Sequence, residues 1–77
     1  MSLYHLLQAV KKLAEKLVYA MYDYQAINSD ELTFKMDDVI VVVEDTDADW
    51  WKGHLKSDQS KSQGHFPRNY VRTSNPC

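Results

Sequence analysis

Two hydrophobic periodicities divide the chain. In residues 3–17, LYHLLQAVKKLAEKL, the apolar side chains Leu3, Leu6, Leu7, Val10, Leu13, Ala14 and Leu17 recur at steps of three and four. That spacing lines one face of a helix. Ser2 stands where a cap would, and neither glycine nor proline interrupts the run. From about Leu17 the period shortens. VYAMYDY is aromatic, β-branched and alternating, which predicts a strand. LTFKMDDVIVVVE predicts two short strands broken by a polar turn at 35–38, and WWKGHL predicts another. Gly53 marks a place where a second backbone or ring comes close. Residues 56–63, KSDQSKSQ, form a polar loop expected to be mobile. After residues 64–67 a last short strand is expected at 71–73. Five short strands with frequent turn signals predict an all-β fold, a small barrel or sandwich.

Charge and composition narrow the function. The first 17 residues hold three lysines and one glutamate, whereas the rest holds six basic and ten acidic side chains. Eight of those acids lie between Asp30 and Asp49, with Lys35 as the one basic residue among them. Such a surface repels phosphate backbones, so no nucleic acid is expected as a partner. It suits a ligand carrying Arg or Lys. The single cysteine, Cys77, permits no internal disulfide, which fits a reducing, cytoplasmic setting. No apolar run approaches the ~20 residues of a membrane span, and no membrane insertion is expected. His5, His54, His65 and Cys77 lack metal-ligand spacing, and neither a phosphate-binding glycine loop nor a supported nucleophile is visible. No cofactor, metal or catalytic activity is expected.

Four stretches then carry a resemblance. AMYDY at 20–24, ELTFKMDDVI from Glu31, the pair Trp50-Trp51, and GHFPRNYV at 64–71 resemble, in order and spacing, the signature motifs of SH3 domains. The resemblance covers residues 17–74, leaving 1–16 as a helical extension and 75–77 as a tail. The wording is most similar to SH3 domains of endocytic and cytoskeletal adaptors and signalling proteins. The resemblance implies a five-stranded SH3-like barrel of two packed antiparallel sheets. It also implies a groove for proline-rich PxxP peptides in the polyproline II conformation. Such a helix has three residues per turn and unsatisfied carbonyls, so it needs flat aromatic walls and a few donors.

The implied peptide-binding residues are Tyr22, Tyr24, Asp30, Glu31, Asp49, Trp50, Pro67, Asn69 and Tyr70. Tyr22 and Tyr70 would wall one proline pocket and Trp50 with Pro67 the next, with Tyr24 set deeper. Glu31, in the long loop QAINSDE, matches the acid that pairs with an Arg or Lys flanking the PxxP core, and Asp30 and Asp49 stand beside that pocket. Asp47 is read as solvated loop charge that can reach ligand residues beyond the core. The implied core is Val18, Ala20, Leu32, Phe34, Val39, Val42, Phe66 and Val71. Neighbouring residues of a strand face opposite sides, so only one of the two tryptophans can reach the groove. The resemblance assigns that place to Trp50, which leaves Trp51 on the outer sheet face, and it implies a solvated Arg68.

Three positions depart from the family pattern. Asp37 replaces a glycine, at a site that favours a left-handed backbone. His65 stands where an aromatic often lines the first pocket, which would make that pocket pH-sensitive. The 56–63 loop is longer than usual. The extension at 1–16 is open to four readings: a remnant of an upstream domain or a tag-derived start, a segment packed on the barrel away from the groove, a self-associating helix, or a cover over the groove. The expected state is a monomer, with a dimer through the helix as the alternative. The expected function is a non-catalytic adaptor module. Its alternative is an SH3 groove serving an intramolecular or non-proline partner, with the helix regulating it.

Overall fold

The computed structural model describes residues 15–73. Their strands are β1 (Lys16–Ala20), β2 (Val39–Glu44), β3 (Trp50–Leu55), β4 (Gly64–Pro67) and β5 (Val71–Arg72), with a 3-10 turn, η1 (Arg68–Tyr70), before the last. All pairings are antiparallel, in the order β4-β3-β2-β1-β5. The architecture is thus one continuous curled sheet, where two packed sheets were expected. A β-bulge between Val42 and Glu44 helps to bend it.

The strand limits correct the sequence reading at three places. Lys16 and Leu17, the end of the expected helix, begin β1, because Leu17 pairs with Val41 and Lys16 with Val42. The rest of the expected helix lies outside the described residues. The LTF stretch is no regular strand: it belongs to a long loop anchored by the isolated bridges Tyr24–Phe34 and Glu31–His65. Residues 64–67, expected only as a connection, form β4 against β3.

Alternation on the curled sheet builds the core. Val18 and Ala20 enter from β1, Ile40 from β2, Trp51 from β3, Phe66 from β4 and Val71 from β5, joined by Leu32 and Phe34 of the long loop. Burying each large apolar side chain contributes about 1.5–3 kcal/mol. Phe34 and Phe66 meet edge to face at 6.0 Å. Val42, expected inside, is half-buried and packs against the core, whereas Val39, also expected inside, is half-buried outside that cluster and Ile40 holds the central position. Trp51 is also corrected. It is 8% exposed and part of the core cluster. Lys16 and Arg68 stack on its ring at 4.4 and 4.6 Å, so Arg68 is not free in solvent.

Both described glycines mark close approaches. A Cβ at Gly53 would strike the Val41 carbonyl oxygen, as its place in the strand pattern suggested. A Cβ at Gly64 would lie 2.7 Å from the backbone of Glu31 and Leu32. The long loop therefore crosses directly over β4. Asp37 has φ 76°, the left-handed backbone expected of its position. The 56–63 loop holds hydrogen bonds of its own. Asp58 accepts hydrogen bonds from the Ser60 amide and hydroxyl and from the Ser62 amide.

Candidate functional site

The long loop, residues 21–38, is held like a hairpin. Tyr24 and Phe34 exchange backbone hydrogen bonds of 2.8 and 2.9 Å. Asp23 accepts from the Met36 amide at 2.7 Å and pins the base. Near the tip, Glu31 collects three donors: the Tyr24 hydroxyl at 2.6 Å, the Ile27 amide at 2.9 Å and the Asn28 side-chain amide at 2.8 Å. Hydrogen bonding to the charged form favours it. The Tyr24 hydroxyl, with these amides, lowers the Glu31 carboxyl to about 2. The same bond, with the carboxylate charge, raises Tyr24 to about 12. The loop is tied to β4 where the His65 amide donates to the Asp30 carbonyl and the Leu32 amide to the His65 carbonyl.

The loop at 45–49 is organised by one side chain. Asp47 Oδ2 accepts from the amides of Asp49 and Trp50 at 3.0 and 2.8 Å, and the Asp47 carbonyl accepts from the Trp51 indole at 2.9 Å. The amide bonds hold the Asp47 carboxyl below the usual range, led by Trp50. Asp47 is thus a brace for both tryptophans, which its place in an acidic loop did not reveal. Opposite, η1 is fixed by the Arg68 amide donating to the Asp49 carbonyl.

These braces bring all nine residues singled out in the sequence to one side of the molecule. Tyr22 and Tyr70 meet edge to face at 5.5 Å, Tyr70 and Tyr24 at 5.4 Å, and Tyr24 and Trp50 at 6.5 Å. The four rings form a continuous row. Tyr22 is 57% exposed and Trp50 41%, high for large apolar surfaces. Tyr24 sits in the middle, half-buried, its hydroxyl turned to Glu31. Pro67 lies opposite Trp50 in the β3–β4 register. Three hollows border Trp50, one of them, of about 300 Å³, lined by Glu44, Thr46, Asp47, Trp50, Lys52 and His65. A second, of about 320 Å³, is lined by Ala48, Asp49, Trp50, Pro67, Arg68 and Asn69, so Asp49 lies here and does not line the acidic hollow where it was expected. A third, of about 180 Å³, is lined by Asn28, Asp30, Glu31, Trp50 and His65. Asn28 and Ala48 are lining residues that the sequence reading passed over, and Arg68, expected to be solvated, lines a hollow as well; for Asn28 the spacing three residues before Glu31 was the available signal.

Within the acidic hollow the two carboxylates differ. Glu31 is occupied by its three internal donors, whereas Asp30 keeps a side chain 73% exposed, with His65 Nδ1 3.9 Å away.

Comparison with known proteins places this geometry. The family model described as SH3 domain matches residues 19–68. The chain is similar to the myosin IC heavy chain of Dictyostelium discoideum, 49% identical over 69% of this chain and 4% of that protein. It is also similar to an actin-binding protein of Saccharomyces cerevisiae (50% over 73% of this chain, 9% of that one) and to mouse intersectin-1 (47% over 71%, 3% of that one). The chain therefore spans only a small part of these relatives. Among solved structures, the yeast actin-binding protein Abp1 SH3 domain superposes with a TM-score of 0.70 at 46% identity, covering 77% of this chain and 98% of that one. The C-terminal SH3 domain of Entamoeba histolytica myosin IB, bound to the EhFP10(GEF) peptide, gives 0.65 at 41%, covering 77% and 92%.

Proposed function

The chain belongs to the SH3 domain family, and from that premise we propose that it is a non-catalytic interaction module. It binds proline-rich, polyproline II segments with a flanking Arg or Lys, in assemblies of the actin cytoskeleton or of endocytosis. The observation that carries this reading is the row Tyr22–Tyr70–Tyr24–Trp50, with Pro67 opposite Trp50. Exposed aromatic walls at this spacing suit stacked proline rings and offer hydroxyl and indole donors for ligand carbonyls. The ligand is stiff beforehand, so less ordering entropy opposes binding.

The basic flank of the ligand enters the hollow of Asn28, Asp30, Glu31 and His65. Glu31 stays ionised and holds the loop in shape, and the exposed Asp30 closes on the incoming cation. Asn69 and Asp49 border the second hollow and contact the ligand backbone there. The peptide-bound myosin IB domain supports the reading, because a domain of the same fold and 41% identity holds a peptide. Replacing Trp50 by Ala tests it. Since Trp50 is substantially exposed, the variant keeps its fold and loses at least tenfold in affinity for a PxxP peptide, measured by calorimetry. Undiminished affinity in a folded Trp50→Ala variant would overturn the assignment.

A further inference from the structure

We propose that His65 is a specificity-determining residue of the groove: its imidazole and the basic flank of the ligand compete for the Asp30 carboxylate, so protonating the imidazole weakens the preference for that flank. The inference rests on the peptide-binding reading above and adds the condition under which the flank is read.

The first observation is where the ring stands. The sequence reading expected His65 at the first proline pocket, and the structure brings it to the acidic hollow. Its Nδ1 lies 3.9 Å from Asp30 Oδ2, within ion-pair distance once the ring is charged. The two side chains remain 41% and 73% exposed, so a ligand cation can reach the same carboxylate. His65 and Trp50 are the two residues shared by the acidic hollow and the hollow of Glu44, Thr46, Asp47 and Lys52.

The second observation is that the backbone holds ring and carboxylate together. The His65 amide donates to the Asp30 carbonyl at 2.8 Å, and the Leu32 amide donates to the His65 carbonyl at 2.9 Å. These bonds clamp β4 to the long loop at the residues whose side chains meet.

The charges facing the ring come from three sides. The long loop presents Asp30 and Glu31, and β3 presents Lys52 directly opposite in the strand register. The end of β2 and the loop after it present Glu44 and Asp47. Carboxylates and ammonium groups ordinarily keep their charge from about pH 5 to about pH 8, whereas an imidazole changes its own within that interval. Glu31, lowered to about 2 by the Tyr24 hydroxyl, the Ile27 amide and the Asn28 side chain, stays ionised throughout. Asp47, lowered first by the Trp50 and Asp49 amides, also feels the imidazole. With the ring neutral, Asp30 is open to an arginine or lysine. With the ring charged, Asp30 already has a cation, and a second positive charge in the same hollow repels the ligand's. By linkage, a bound basic flank disfavours protonation of His65.

The test uses the full 77-residue chain and two PxxP peptides, identical except that one carries arginine in the flank and the other citrulline, its uncharged isostere. Calorimetry at low salt gives the arginine-to-citrulline affinity ratio at about pH 8 and at about pH 5. The ratio is expected to fall about threefold on acidification, the scale of a half-exposed charge pair, and to stay level in His65→Gln. The His65 ring resonance, assigned by its loss in that variant, supplies a second readout in the unmutated chain. Its titration midpoint should drop on saturation with the arginine peptide and move less with the citrulline one. A ratio that stays level in the unmutated chain, or that falls equally in His65→Gln, overturns the proposal, as does a midpoint that the arginine peptide leaves unmoved. If neither peptide binds at about pH 8, the peptide-binding reading itself fails and this inference falls with it.

Discussion

Glu31 has two duties that pull on one carboxylate. It shapes the loop through Tyr24, Ile27 and Asn28, and it lends negative charge to the hollow beside Trp50. Its carboxyl is depressed from 4.5 to about 2. A group depressed on folding contributes stability that is present above its unfolded value and lost as pH falls through its folded one. Glu31→Gln should therefore lower stability at neutral pH, and the gap to the parent should close between about pH 4.5 and pH 2. Urea unfolding across that range measures it; parallel curves would remove Glu31 from the account. The phenol of Tyr24, raised to about 12 by the same bond, should return toward 10 in the variant. Asp37, at φ 76°, pays a left-handed backbone penalty that glycine avoids, partly offset by the freer unfolded chain. Asp37→Gly should gain about 0.5–1 kcal/mol, a rise of a few degrees in Tm by calorimetry. That the candidate site residues would lie together was legible because the motif fixes type and order together. The core was less so in β2: VIVVV is apolar at every position, so it carries no alternation from which to choose Ile40 over Val39.

Elements matter here through where loops are pinned. The site loop lies against β4 because Gly64 leaves room for the backbone of Glu31 and Leu32. Gly64→Ala should cost about 2 kcal/mol or more, since the obstacle is backbone rather than a side chain that can swing aside. The midpoint of urea denaturation should fall, and peptide affinity should fall with it as the acidic hollow shifts. Unchanged stability would contradict the close approach. The β4 strand itself was hard to read in sequence, because a strand of four residues ending in proline looks like a turn. Its pairing is supplied by β3, a tertiary partner that no local pattern displays. The same holds for Trp51. Alternation places it opposite Trp50, but only the curl of the sheet decides that this side is the core, closed by Lys16 and Arg68.

At the scale of the molecule, a small curled sheet gathers the exposed Tyr22 and Trp50 with Asp30, Glu31 and Asp49 on one side, and the loops at 21–38 and 45–49 are both braced by internal hydrogen bonds. Such bracing suits the recognition of a stiff partner proposed above, because less ordering entropy is lost on binding. The fold class could be read from four short motifs, whereas the sheet's continuity depended on long-range pairing. The most direct measurement is a ¹⁵N chemical-shift titration of the intact chain with two PxxP peptides, one with Arg before the core and one with Arg after it. Shifts concentrated at Tyr22, Tyr24, Asp30, Glu31, Tyr70 and the Trp50 indole, weakening as salt is added, are the predicted result. Titrations with both peptides that leave those signals unmoved, or that move only residues outside this row and hollow, would contradict the account.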